Sequence, residues 1–250
     1  MAGAAVQRRL SWRTGVVAEL IDENAHARSI VLRVPGWPGH RAGQHVDVRL
    51  TADDGYQAQR SYSIASPPEV DRLTVTVERI DDGEVSPFLT GELRVGDRLE
   101  LRGPIGGYFV WDVAIGGPLL LIAGGSGVCP LMAMLRHRDA QASAVPARLL
   151  YSARSLDNVL YRDEIDRLAS AGSGLDVAYT LTRSQPPDWS GFRRRIDSAM
   201  LAEFAWSPER RPLTFICGPT QLVESAAEAL VQLGHDASRI KTERFGPTGG

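Results

Sequence analysis

The amino-acid sequence predicts two domains, a six-stranded antiparallel β-barrel over residues 1–112 and an α/β doubly wound parallel sheet over residues 113–250. Up to about Gly103 the chain reads as short β-type runs divided by turns, whereas beyond "WDVAIGGP" apolar strands alternate with helical segments. Composition agrees: 250 residues with 43% hydrophobic and 23% charged side chains supply apolar material for two cores.

In the first half the runs are "TGVVAEL", "RSIVLRV", "HVDVRL", "RSYSIA", "RLTVTVERI" and "DRLELRG", with "VPGWPGH" and "TADDGY" as tight turns between them. Leu73, Val75 and Val77 alternate with Thr74, Thr76 and Glu78, the pattern of a strand with one face in a core. A short helix is predicted around "GEVSPFLTGEL". In the second half "LLLIA" is a continuous apolar run, as a strand buried on both faces requires. A helix in "GVCPLMAMLRHRD", the strand "ARLLYSA" and a helix in "DNVLYRDEIDRLAS" follow, the last with Asp163 and Arg167 at ion-pair spacing. "LDVAYTL" and "LTFIC" are further strands, "TQLVESAAEALVQLG" is a helix from a Thr220 cap to a Gly234 stop, and "RIKTERF" closes the sheet. There are no internal repeats or low-complexity stretches.

A net charge of −2 gives no general footing for nucleic acid or an acidic membrane. Of 28 basic residues only Lys241 is a lysine, so any single arginine carries less functional information than usual. Two cysteines, Cys129 and Cys217, fall short of the four ligands that a structural zinc or an iron–sulfur cluster normally takes, and the five histidines show no ligand spacing. "MAGAAVQRRLSW" lacks the apolar core of a signal peptide, and no apolar run approaches the ~20 residues of a membrane helix. The expectation is a cytoplasmic protein with reduced thiols and no metal.

Several stretches carry chemistry. "QRSYSIASPP" is a polar strand, with Arg60, Tyr62 and Ile64 on one face and Ser61, Ser63 and Ala65 on the other. In "AGGSGVCPLM", Gly124, Gly125 and Gly127 permit close approach of a ligand, and the helix start beyond offers N–H groups to phosphate. The spacing Gly125-x-Gly127-x-x-Pro130 departs from the dinucleotide fingerprint, and a purely structural turn reads the same residues equally well. "GGSGV" also lacks the second flanking glycine of a hydrolase nucleophile elbow. "FICGPTQLV" puts Cys217, Gly218 and Pro219 at a strand's C-terminal end, where ligands of open α/β sheets bind, or else Cys217 is simply a buried cysteine. The amides of Gly83, Glu84, Val85 and Ser86 suit a second phosphate, or an ordinary Ser-Pro helix start. "RGPIGGYF" taken alone is a linker turn.

Together these residues resemble the ferredoxin–NADP reductase superfamily. The order is Arg60-Ser61-Tyr62-Ser63, Gly83-x-x-Ser86, Gly103-Pro104-x-Gly106-Gly107-x-Phe109, Gly125-x-Gly127-x-x-Pro130, Cys217-Gly218-Pro219 and Glu243-x-Phe245-Gly246-Pro247, covering about residues 12 to 247. The chain looks most similar to reductase modules of bacterial oxygenase systems and flavohaemoglobins, without an iron–sulfur or globin domain. The resemblance implies FAD and a nicotinamide cofactor, with Arg60 and the 83–86 turn on the flavin diphosphate. It implies Tyr62 stacked on the flavin ring, Ser63 at its reactive N5 edge and Phe245 over the other face. Gly125, Ser126, Gly127 and Pro130 would take the nicotinamide cofactor's pyrophosphate, and Cys217 and Glu243 would lie at the nicotinamide. The chain continues five residues past Phe245, unlike family members that end on the aromatic.

The implied reaction is hydride transfer from reduced nicotinamide to flavin N5, which needs the reacting atoms roughly 3–3.5 Å apart, then single-electron delivery to a separate protein. That acceptor would be a ferredoxin or an oxygenase component, with no nucleic acid or membrane partner, and the chain is expected to be a monomer. "YSARS" and "LTRS" place Ser152, Arg154 and Arg183 after the second and third strands without an acid, which favours NADPH over NADH. Arg193 to Arg195 in "GFRRRID" suit an acidic electron carrier or a solvated loop. The alternatives are a reductase that uses free flavin as substrate, and a non-catalytic nicotinamide-binding sensor or electron-transfer subunit.

Overall fold

The computed structural model describes residues 10–245 apart from 171 and 173, and it contains both predicted sheets. The first has six strands, β1 (Trp12–Asn24), β2 (Ala27–Arg33), β3 (His45–Thr51), β4 (Gln57–Ser63), β5 (Leu73–Glu78) and β6 (Arg98–Ile105). They pair antiparallel in the order β4-β3-β6-β1-β2-β5. Ile64 bridges Val75, and the Ala65 N–H donates to the Thr74 carbonyl at 2.8 Å, so the two end strands meet and the sheet closes. The alternating residues do what their period requires: Ile30, Leu32, Val46, Val48, Val75 and Leu101 fill the barrel. The expected helix within this half is a single π-helical turn, Phe88–Glu92, with Leu89 in the core.

The second sheet is parallel, with β7 (Leu119–Gly124), β8 (Ala147–Ala153), β9 (Leu175–Leu181), β10 (Leu213–Pro219) and β11 (Ile240–Phe245) in the order β11-β10-β7-β8-β9. Every residue of β7 is buried, as its unbroken apolar run requires. Helices α1 (Val128–Ala140), α2 (Arg162–Ser170), α3 (Ser198–Phe204) and α4 (Thr220–Gln232) connect the strands. The strand order reverses between β7 and β10, so a crevice opens at their carboxyl ends. No helix among the described residues is long and apolar enough to cross a membrane.

Three local expectations are corrected. Helix α2 starts at Arg162 rather than near Asp157, because Tyr161 has a left-handed backbone (φ 56°) and the Leu160 N–H is taken by the Tyr151 hydroxyl at 3.1 Å. Its ion pair joins Arg162 to Asp166 at 3.7 Å, one residue ahead of the expected one. Thr220 is the first residue of α4 and makes no capping bond; the cap position is Pro219. Helix α3, which the sequence patterns do not predict, is capped by the Asp197 carboxylate, which accepts from Met200 N–H at 2.8 Å.

The two sheets are held against each other by a continuous core. Ala27, Ala42, Ala65 and Phe109 pack into the same apolar cluster as α1, and Phe109 meets Phe215 edge-on at 5.3 Å. Buried polar bonds fix the angle. Arg136 on α1 donates to the Ala65 carbonyl and forks onto Glu164, His137 bonds Glu69 at 2.6 Å, and the Tyr161 hydroxyl bonds Thr76.

Candidate functional site

The crevice at the strand reversal is built from backbone. Gly125 has φ 54°, and a Cβ on Gly127 would lie 2.2 Å from the Cys217 carbonyl oxygen, so the two turns touch directly. The N-cap of α1 is Gly127, which has no side chain to satisfy the first amides of that helix. The Val128 N–H is taken by the Gly125 carbonyl, so what suits a diphosphate here is the positive helix end and a glycine backbone without Cβ atoms.

In front of this turn lies a cleft of about 360 Å³. Gly125, Ser126, Ser152, Arg154, Arg183 and Phe245 all border it, so the structure gathers most of the predicted nucleotide-site residues into one cavity. Pro219, beside Phe245 in the strand register, also borders it. Pro130 is buried inside the first helical turn, and Gly218 packs against Gly124, so both shape the turns rather than face the cleft. Arg195 is a wall residue that the sequence reading left on a loop; its guanidinium donates to Gln221 Oε1 at 3.3 Å. Its neighbours have other tasks: Arg193 donates to the Trp189 carbonyl, and Arg194 pairs with Asp197 at 2.6 Å.

β11 borders the cleft at Phe245, and barrel residues Ala27 and Glu78 line it as well. Lys241, Glu243 and Phe245 alternate along β11 and therefore share a face. Lys241 Nζ donates to the Val110 carbonyl at 3.4 Å, and burial together with Arg41 lowers its pKa. Glu243 is register partner of Cys217, and its carboxylate lies 3.8 Å from His45 Nδ1 on β3. His45 in turn pairs with Ser63 across the β3–β4 hairpin. The chain thus links its three predicted catalytic residues in a row: Ser63 pairs with His45, His45 lies beside Glu243, and Glu243 pairs with Cys217 in strand register.

Burial decides the protonation states here. It raises the Glu243 pKa to about 7 and lowers that of His45, so burial works against the charged form of each. Burial, helped by Glu243, also holds the Cys217 thiol well above its ordinary value, so it is a small neutral wall group and not a thiolate. Glu243 Oε2 is buried without a hydrogen-bond partner among the described residues, an orphan atom that suits a polar ligand group.

The polar strand β4 divides as its alternation predicts. Ser61 donates to Asp47 at 2.7 Å, and Asp47 pairs with Arg102, so that hydroxyl is committed to the barrel's outer face. Tyr62 packs partly on the barrel core, where burial pushes its phenol up to about 12 and keeps it neutral. β4 ends at Ser63, where the chain turns into the Ile64 bridge. Arg60 reaches the 83–86 turn, its Nη2 2.7 Å from Glu84 Oε2. Within that turn the Gly83 N–H is engaged by the Ile80 carbonyl, Val85 fills the core, and Ser86 Oγ accepts from Ile80 N–H at 3.0 Å. Arg60 and Tyr62 therefore present a guanidinium fork and a neutral ring on one side of the strand, a donor set that fits a flavin diphosphate with its ring. Gly246 and Pro247 lie outside the described residues.

His45, Arg195 and Tyr56 are the residues of this region that the sequence reading missed. His45 was readable, because counting the hairpin back from its "TADDGY" turn sets it opposite Ser63.

Comparison with known proteins gives matches to both halves of the chain. The family described as oxidoreductase FAD-binding domain matches residues 15–110, and oxidoreductase NAD-binding domain matches residues 121–228. The chain is similar to ferredoxin–NADP reductase B of Sorangium cellulosum, at 34% identity over 82% of this chain and 84% of that protein. It is also similar to the glycine betaine monooxygenase reductase subunit of Chromohalobacter salexigens, at 32% identity over 83% of this chain. The chain spans 56% of that relative's length. Among solved structures, the FAD/NAD-binding domain of nitric oxide dioxygenase from Vibrio cholerae superposes with a TM-score of 0.83 at 26% identity, covering 94% of this chain and 99% of that one. A cytochrome P450 reductase of Amycolatopsis gives 0.82 at 26% identity, covering 96% and 71%.

Proposed function

The chain belongs to the ferredoxin–NADP reductase family, and from that premise we propose that it is an FAD-dependent NADPH oxidoreductase delivering electrons to a separate redox protein. The observation that carries the reading is the Glu243–His45 contact, which joins the strand end beside the nucleotide crevice to the strand paired with Ser63. Bound FAD would supply the conversion of a two-electron hydride into single electrons. The division between the two cofactor units lies near residue 112, within the 106–118 connection.

The residues then have distinct tasks. Arg60 holds the flavin diphosphate, Tyr62 covers one ring face as a neutral phenol, and Phe245 covers the other until the nicotinamide enters. Ser63 and His45 line the reactive edge, and Glu243 meets the nicotinamide with a carboxyl that can be protonated near neutral pH. Cys217 is small and uncharged, so it would let the nicotinamide lie close. The acceptor is a ferredoxin or an oxygenase component, in keeping with the names of the reductase relatives, and the working form is a monomer.

Arg154, Arg183 and Arg195 border the same cleft as Ser152, and none of the three has a carboxylate partner among the described residues. Guanidinium groups without a carboxylate partner favour a 2′-phosphate, hence NADPH. The double variant Arg154→Ala/Arg183→Ala is expected to raise KM for NADPH about 30-fold, the loss of two charge-assisted phosphate contacts. KM for NADH should move less than about twofold. Steady-state kinetics with a dye acceptor would show this, and equal shifts for both nucleotides would refute the assignment.

A further inference from the structure

The cation assigned to the flavin diphosphate is already holding an anion. Arg60 Nη2 lies 2.7 Å from Glu84 Oε2, while the other carboxylate oxygen, Oε1, accepts from the Tyr56 hydroxyl at 2.6 Å. The seat is built from two sides. Tyr56 belongs to the β3–β4 hairpin, where its own N–H donates to Asp54 Oδ1 at 2.9 Å. Glu84 belongs to the turn that Ser86 closes onto Ile80. The carboxylate thus spans the gap between Arg60 and the 83–86 turn, the gap the diphosphate needs. Arg60 Nη2 meets one carboxylate oxygen of Glu84 while its Nη1 donates to the Gln59 carbonyl at 2.7 Å, so a phosphate reaching Arg60 competes with Glu84 for Nη2.

Resting on the flavin reading above, we propose that Glu84, seated by Tyr56, is an internal competitor for the flavin-phosphate site. It occupies Arg60 when flavin is absent, must be displaced for FAD to bind, and thereby sets how firmly FAD is retained. The two side chains of the pair are 53% and 47% exposed, so the seat is soft. Solvent screens such a pair, and displacement is easy. Once displaced, the carboxylate remains on the turn beside a doubly charged diphosphate, and the repulsion persists in the bound state. Both effects weaken FAD, and both vanish when the charge is removed.

The test is FAD binding to flavin-depleted protein, followed by quenching of flavin fluorescence at fixed ionic strength. Glu84→Gln is expected to bind FAD about fivefold more tightly than the wild-type chain. Tyr56→Phe, which frees the carboxylate without removing it, should shift in the same direction by less. Riboflavin, which has no phosphate, should bind the wild type and Glu84→Gln equally. Unchanged or weaker FAD binding by Glu84→Gln would overturn the proposal, as would an equal gain for riboflavin. Arg60→Ala separates this from failure of the flavin reading. If Arg60→Ala binds FAD like the wild type, the phosphate assignment itself is wrong. If Arg60→Ala loses FAD while Glu84→Gln gains nothing, only the competitor role is wrong.

Discussion

Gly127→Ala is expected to spring the nucleotide crevice apart. A Cβ at this position would lie 2.2 Å from the Cys217 carbonyl oxygen, 2.5 Å from its carbon and 2.8 Å from the Gly218 nitrogen. All three are backbone atoms, so no side chain can rotate away. Relief requires the turn after β7 to move off the turn after β10, which disturbs the ends of two central strands and the start of α1. Overpacking of this kind costs about 1–3 kcal/mol or more, to be read as a lower thermal midpoint. The larger effect is functional. The displaced turn is the one proposed to take the nicotinamide diphosphate, so on that proposal affinity for NADPH should fall about 100-fold, the order of loss that ångström misplacement causes. Flavin content should stay near the wild-type value, because the barrel is untouched. A variant with wild-type melting and wild-type KM would mean the two turns do not touch as described.

The second large effect is on the barrel side. Arg60→Ala should leave a folded protein that no longer holds FAD. The side chain is half exposed and takes no part in the barrel core, so circular dichroism should be unchanged. Its loss removes charge-assisted bonds to the diphosphate, each worth about 1.5–3 kcal/mol, so affinity should drop about 100-fold. Gel filtration, which dilutes released ligand, then gives colourless protein. Arg60→Lys should fall between, since an ammonium supplies the charge without the planar fork. Full FAD retention by Arg60→Ala would remove the arginine from the phosphate site.

Much of this was legible because each element carries its own local reason. The barrel strands show their period in residues such as Leu73, Val75 and Val77, and β7 shows double-sided burial in "LLLIA". The crevice was only partly legible at Gly125, Gly127 and Cys217: each allows an ordinary structural reading, and the recurrence of such turns at two strand ends is what points to a binding site. What the sequence hid depends on tertiary partners. Nothing local stops the α2 pattern at Tyr161; its hydroxyl is drawn across the domain boundary to Thr76. Helix α3 was masked because the arginines before it look like a loop, although Asp197 is an ordinary cap. Glu84 was read through its amide, while its side chain does the distinctive thing and takes Arg60. The Glu243 environment is likewise invisible in sequence, because burial by the other domain is what shifts it.

The central claim is that a nicotinamide bound at the β7–β10 crevice reduces a flavin held by the barrel. It is tested most directly by anaerobic titration of the purified, FAD-reconstituted chain with NADPH while the visible flavin absorbance is followed. The expected result is a yellow protein that NADPH bleaches stoichiometrically, with NADH acting more weakly. A protein that stays colourless after reconstitution, or a yellow one that neither nucleotide bleaches, would contradict it.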